Sequence, residues 1–242
     1  MIVKNRLLNY KNKIIYQDSD WFNFSLDSVI LADFVEINRR NFKILDLATG
    51  NAPIPMLLTY KTKEKIIGIE IQKEVYDLAI KSILENKMEN QITIINDDIK
   101  NIKNYFKCES LDIVTCNPPY FKLENSKLYC ENEIKRIARH EVLINFEEII
   151  KEVSYVLKNK GHAYFIHRTE RLVEIFELLK KYRLEPKKIR FVFSKIDSNS
   201  NLVLIETVKN GGSLLKIMKP LIVHNEDGAY SKEIREMFQE KR

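Results

Sequence analysis

The 242-residue sequence is poor in cysteine, glycine and proline, with three, six and six of them. Cys108, Cys116 and Cys130 form no CxxC pair, and His140, His162, His167 and His224 are scattered, so nothing has the spacing of a metal site. With 45% hydrophobic and 31% charged residues, the composition excludes disordered, collagen-like and disulfide-scaffold classes. No apolar run approaches the ~18–20 residues that span a bilayer, and the N-terminal MIVKNRLLNYKNK lacks the apolar core of a signal peptide. The expectation is a cytoplasmic globular protein with no membrane partner and no metal. Forty Lys plus Arg against 34 Asp plus Glu give a net charge of +6, which suits a polyanionic partner such as nucleic acid. Biased codon usage, visible in the abundant Lys, Ile and Asn, produces the same excess without selection for binding.

What is present is an alternation of β-branched apolar runs with amphipathic stretches, the pattern of a parallel sheet with crossover helices. Strands are expected at 42–48 (FKILDLA), 65–71 (KIIGIEI), 91–96 (QITIIN), 111–116 (LDIVTC) and 162–167 (HAYFIH), with helices at 53–61, 73–86, 101–106, 145–158 and 168–182. Two further strands, 188–194 and 202–208, are joined by the polar turn KIDSNSN with no helix between them, which makes them an antiparallel pair. The expected fold is α/β, a seven-stranded doubly wound sheet ending in that pair. Residues 1–40 then form an N-terminal extension with the amphipathic helix SLDSVILADFVE, 41–210 the domain, and 211–242 a tail packed on it.

Ligands of open parallel sheets bind beyond the carboxyl ends of the strands. The first strand runs into ATGNAP, Ala48 to Pro53, small residues that allow a tight turn before a helix N-terminus. The second ends in Glu70, 20 residues beyond Gly50, the usual place of a carboxylate that accepts from two vicinal ribose hydroxyls. The third is followed by Asp97-Asp98 and the fourth by Asn117-Pro118-Pro119-Tyr120. Any one of Asp46, Glu70 and Asp98 alone reads more readily as a helix cap or a solvated loop charge than as a ligand group; three at corresponding strand ends reverse that and point to a ligand. The turn is not G-x-G-x-x-G, so a nucleoside without a pyrophosphate fits better than a dinucleotide. The two prolines stop the strand and hold the chain rigid, which fixes Asn117 and Tyr120 in space.

ILDLATGNAPIP, GIEI, NDDI and NPPY resemble the successive motifs of the Rossmann-like S-adenosylmethionine-dependent methyltransferases. Over nearly its full length the chain is similar to the bacterial tRNA1(Val) (adenine-N6)-methyltransferases, which modify the adenosine 3′ of the anticodon. The supporting stretches are WFNFSLDSVILADF, NPPYF, ARHE, EPKKIRFVFSK, NLVLIETVKNGG and PLIVHNEDGAYSKEI. The resemblance implies S-adenosyl-L-methionine as cofactor, held by Asp46, Ala48, Gly50, Glu70, Ile71, Asp98, Ile99 and Asn117. It implies tRNA as partner, with the Asn117 side-chain oxygen and the Pro118 carbonyl accepting from the amine and Tyr120 stacking on the base. The family's first motif usually reads D-L-G-x-G-x-G; here Ala48 and Ala52 replace two glycines, tolerable if φ is negative there, with less room for the methionine moiety.

The 24 residues from 121 to 144 are expected to fold over the site as a substrate loop with a short helix, where Lys135, Arg136, Arg139 and His140 could meet phosphates. The same tetrapeptide serves enzymes acting on other planar nitrogens. A release-factor glutamine methyltransferase usually has a helical domain before the first motif, and a DNA adenine methyltransferase a separate target-recognition region, for which this length leaves no room. The runner-up is an rRNA guanine-N2 methyltransferase. An NAD-dependent oxidoreductase is disfavoured by the glycine pattern, and a non-catalytic RNA-binding module with a decayed cofactor loop is the alternative of another class. A monomer is expected.

Overall fold

A computed structural model describes residues 1–7, 13–18, 26–38, 42–118, 120 and 144–238 of the chain. In chain order the elements are β1 (Ile2–Arg6), β2 (Ile14–Asp18), α1 (Leu26–Phe34), β3 (Ile44–Leu47), α2 (Pro53–Leu58), β4 (Ile66–Glu70), α3 (Lys73–Glu85) and β5 (Ile92–Asn96). A 3₁₀ turn at Ile99–Asn104 precedes β6 (Leu111–Cys116), α4 (Phe146–Val156), β7 (Leu157–Arg168) and α5 (Leu172–Lys181). β8 (Leu184–Phe193), β9 (Ser200–Lys209), β10 (Lys216–Ile217), β11 (Leu221–Ile222) and α6 (Lys232–Met237) complete them.

The main sheet runs β10-β8-β9-β7-β6-β3-β4-β5, with β11 also paired to β8. β3 to β7 are mutually parallel, and β9 is antiparallel to both β7 and β8. The seven expected strands are all present, and the terminal antiparallel pair is β8 and β9. The tail contributes two short strands that sequence reading had not assigned: β10 and β11 lie parallel along β8 and extend the sheet to nine strands. After β3 the chain winds outward through β4 and β5, then returns to place β6 on the other side of β3. The order therefore reverses between β3 and β6.

Alternation along the strands separates two apolar layers. Ile44, Ile66, Ile92 and Ile113 face a core closed by α1, α2 and α3. Leu45, Leu47, Ile69 and Val114 face a second core closed by α4 and α5. Helix α4 starts sharply because Asn145 and Glu148 form a reciprocal capping box. The stretch expected as a helix at 101–106 is a 3₁₀ turn at Ile99–Asn104, started by Asp98, whose carboxylate accepts from Lys100 N–H at 2.9 Å. Pro186 is accommodated in β8 beside an irregularity between Pro186 and Lys188, where a missing donor is tolerated.

The N-terminal extension holds an antiparallel hairpin, β1 with β2, not foreseen from the sequence. It is tied to α3: Ile14 N–H donates to Asn86 Oδ1 at 2.9 Å and Tyr16 N–H to Ser82 Oγ at 2.9 Å. Among the described residues no helix is long and apolar enough to cross a membrane.

Candidate active site

The site grows from the register of three strands. Asp46 on β3 stands between Gly68 on β4 and Thr115 on β6, all on one face. Its carboxylate is fully buried and accepts from Thr115 Oγ1 at 2.6 Å and from Thr49 Oγ1 at 2.6 Å. Thr49 fits because Gly68 has no side chain: a Cβ there would come within 2.9 Å of Thr49 Cγ2 and 2.7 Å of Ile94 Cδ1. Burial, opposed by the Thr115 and Thr49 bonds and aided by the charge of Glu70, pushes the Asp46 carboxyl up to about 7. Asp46 thus braces the turn from beneath, with both oxygens used inside the protein.

The turn itself has left-handed backbone at three alternate positions, Ala48 (φ 51°), Gly50 (φ 59°) and Ala52 (φ 66°). The condition under which alanine would be comfortable, a negative φ, is not met at either alanine; the turn keeps the shape glycines would give it and carries the strain. Such backbone costs a residue with a Cβ ~1–2 kcal/mol. Above Gly50 the space is open, with nothing within 4 Å of a built Cβ.

Glu70 closes the turn from β4. One carboxylate oxygen accepts from Gly50 N–H at 2.9 Å and the other from Gln72 N–H at 2.9 Å. Burial raises its pKa, against the backbone N–H groups of Gln72, Gly50 and Ile71. Asn96 at the end of β5 donates to the Glu70 and Ile71 carbonyls at 2.8 and 3.2 Å, which locks the strand end, and Ile71 is left 37% exposed, an apolar side chain beside a carboxylate. Asp98 and Ile99 follow β5, Asp98 spending one oxygen on its cap and Ile99 buried. A carboxylate held in one orientation, an open turn and an exposed aliphatic side chain at neighbouring strand ends suit the ribose and base of a nucleoside.

Beyond β6 the chain reaches Asn117, Pro118 and Tyr120; Pro119 lies outside the described residues. The Tyr120 hydroxyl is in hydrogen-bond contact with Asn117 Oδ1 and lies 3.0 Å from Asp27 Oδ2 on α1. Asn117 Nδ2 faces Ser28 Oγ at 3.5 Å. Arg171 Nη1 donates to the Tyr120 carbonyl at 3.1 Å. Burial first, then the charge of Asp27, holds the Tyr120 phenol well above its ordinary pKa, so it stays protonated. Behind the ring stands His167, with centroids 5.5 Å apart, itself packed edge-on against Phe146 at 4.9 Å. His167 Nδ1 accepts from Arg168 N–H at 2.8 Å, which places its proton on Nε2. Burial, with Arg171 adding, lowers His167 to about 3, so the ring is neutral.

The described residues among those singled out at the strand ends thus fall on one rim of the sheet, Asp46 beneath it. Thr49, Gly68, Thr115, Asp27, Ser28 and His167 were missed. Only the SLDS segment, which opens the amphipathic helix, carries a signal for two of them. Phe121, Lys135, Arg136, Arg139, His140 and the expected substrate loop lie outside the described residues.

A Rossmann-like sheet with an antiparallel terminal pair and a glycine-type turn facing an acidic strand end defines a class of nucleoside-cofactor transferases. The chain belongs to the methyltransferase-domain family, which it matches over residues 38–242. Among curated proteins it is similar to the tRNA1(Val) (adenine(37)-N6)-methyltransferase of Cytophaga hutchinsonii, 23% identical over 203 residues that cover 83% of this chain and 82% of the relative. The protein of the same name from Bacteroides thetaiotaomicron is 21% identical over 238 residues, 98% of this chain and 97% of that one. Among solved structures, a predicted O-methyltransferase from Agrobacterium tumefaciens superposes with a TM-score of 0.70 at 19% identity, covering 88% of this chain and 95% of that one. The fold is that of the class I methyltransferases.

Proposed function

We propose that the protein methylates the exocyclic N6 of an adenosine in tRNA, the one 3′ of the anticodon of a valine tRNA, with S-adenosyl-L-methionine as donor. The observation that carries the reading is the meeting of Asn117 and Tyr120 at the end of β6, beside the turn that Glu70 closes, in a chain of the methyltransferase family. The relatives' name supplies the nucleotide and the RNA.

When bound, S-adenosyl-L-methionine supplies a methyl group on a sulfonium, reactive enough that the protein's part is position and electrostatics. Glu70 turns to the ribose hydroxyls a carboxylate whose orientation is fixed by the Gly50 and Gln72 backbone N–H groups. Ala48 and Gly50 offer the turn's backbone, Asp46 holds that turn from below, and Ile71, Asp98 and Ile99 border the base.

An adenine amine is a weak nucleophile because its lone pair is delocalised into the ring. Asn117 Oδ1 and the Pro118 carbonyl accept its two N–H groups, hold it, and draw electron density towards nitrogen. Tyr120 offers its ring face to the base, which must leave its stack to reach it. As N6 gains the methyl group it becomes acidic and releases a proton, so no strong base is required. Restricting the approach in this way lowers the barrier through orientation.

The test is incubation with labelled cofactor and unmodified tRNA, followed by digestion to nucleosides. N6-methyladenosine is the expected product. N2-methylguanosine transfers the reading to a guanine enzyme, and no label in any RNA together with no cofactor binding ends the enzyme reading.

A further inference from the structure

We infer that Asp27, in the first turn of α1, is a positioning residue for Asn117: it accepts the Tyr120 hydroxyl hydrogen bond when a substrate amine occupies the Asn117 oxygen. The inference rests on the adenine-N6 reading above and adds a residue from the N-terminal extension to that site.

The Tyr120 hydroxyl owns one proton and has two acceptors within reach, Asn117 Oδ1 and, at 3.0 Å, Asp27 Oδ2. Given to Asn117, the proton occupies one of the two lone pairs of the acceptor that an arriving amine needs, and leaves the other a weaker acceptor. Given to Asp27, it leaves the Asn117 lone pairs open. A bond to a carboxylate is roughly twice as strong as one between neutral groups. Once the amine competes for Asn117, the hydroxyl hydrogen turns to the carboxylate, and only the C–O torsion of tyrosine changes. The ring does not have to move. It is fixed at its back by His167 and at its backbone by Arg171. Ser28, next to Asp27, faces Asn117 Nδ2, so adjacent residues of one helix engage both the Asn117 amide and the hydroxyl that competes for its oxygen.

A bland explanation competes. A carboxylate in the first turn of a helix stabilises the helix through its dipole. The two accounts separate in a double-mutant cycle of Asp27→Ala and Tyr120→Phe, with Asp27→Asn as the conservative variant. We expect Asp27→Ala to lower kcat/KM for tRNA about tenfold, the worth of a hydrogen bond to a charged group, while the cofactor Kd is unchanged. Asp27→Asn, whose amide oxygen still accepts the hydroxyl, loses less. In the Tyr120→Phe background there is no hydroxyl proton to redirect, so Asp27→Ala costs no more than about twofold. An equal loss in both backgrounds assigns Asp27 to the helix alone and overturns the inference. The same four proteins, without cofactor, are compared by urea unfolding: non-additive stabilities support the Asp27–Tyr120 contact, and strict additivity removes it. If the wild-type protein methylates no RNA, the functional reading falls, and the unfolding cycle still decides the pair.

Discussion

Thr115 Oγ1 donates to Asp46 Oδ1 at 2.6 Å across the boundary between β6 and β3, the place where the strand order reverses. The second Asp46 oxygen is taken by Thr49 in the turn that follows β3. One buried carboxylate therefore joins the turn after β3 to the strand that presents Asn117, two residues beyond Thr115. Neither partner is a cation, which makes the arrangement sensitive to proton concentration.

The sign of that sensitivity is fixed. Asp46 titrates near 3.8 when unfolded and is raised to about 7 when folded, by burial above all. Its neutral form is favoured in the native state, so its contribution is fully present below about pH 4 and is lost as pH rises through 7. The loss is on the order of 4 kcal/mol at most. Asp46→Asn should flatten the fall in urea-unfolding stability between pH 4 and 7; an unchanged slope would place the titration elsewhere.

The two alanines of the turn should respond differently to glycine. Ala48→Gly relieves ~1–2 kcal/mol of left-handed strain against ~0.4–1 kcal/mol of added freedom in the unfolded chain. A net gain of up to about 1 kcal/mol is expected. Ala48 is only partly buried against the second core, whereas Ala52 is fully buried, so Ala52→Gly removes more of a packed methyl, about 0.8 kcal/mol. It should be near neutral. Chemical denaturation of both variants checks this, and a loss of stability in Ala48→Gly would contradict it.

Gly68→Ala puts a methyl against Thr49 and Ile94. The Ile94 end can swing away, but Thr49 cannot retreat without loosening its bond to Asp46. Overpacking of this kind costs ~1–3 kcal/mol. Cofactor affinity should weaken along with stability, measured by calorimetric titration. A variant that loses stability but binds cofactor normally would show that the turn does not depend on this packing.

Asn117→Ala removes the side-chain acceptor and leaves Glu70 and the turn intact. Turnover should fall by at least two orders of magnitude, as when a single transition-state donor or acceptor is deleted. Cofactor binding should stay nearly unchanged. A near wild-type rate would take Asn117 out of its proposed role.

Much of this was legible in the sequence because it depends on local pattern. Periods of two and of about 3.6 residues locate strands and helices, and the run KIRFVFS, a polar turn, then LVLIETV announces β8 and β9 as a pair without a crossover. ATGNAP, Glu70 and NPPY read as strand-end features by chemistry and spacing alone. The hairpin of β1 and β2 was not legible, because Ile2–Arg6 is short, mostly exposed, and held by its partner and α3. The strands of the tail are two residues each and exist only as additions to β8.

The sequence by itself determined the class of fold and the residue types that stand at its strand ends, since these follow from the hydrophobic period. Only the tertiary structure decided which of those groups are free to meet a ligand. Asp46 turned inward because register sets it between Gly68 and Thr115, where two threonine hydroxyls satisfy its two oxygens. Ala48 and Ala52 took left-handed backbone because closing the turn onto Glu70 outweighs their intrinsic preference. Asp27 and Ser28, some ninety residues before Asn117 and Tyr120, came to the site because α1 must bury its apolar face on the sheet, and a contact made by packing leaves no spacing in the chain to read.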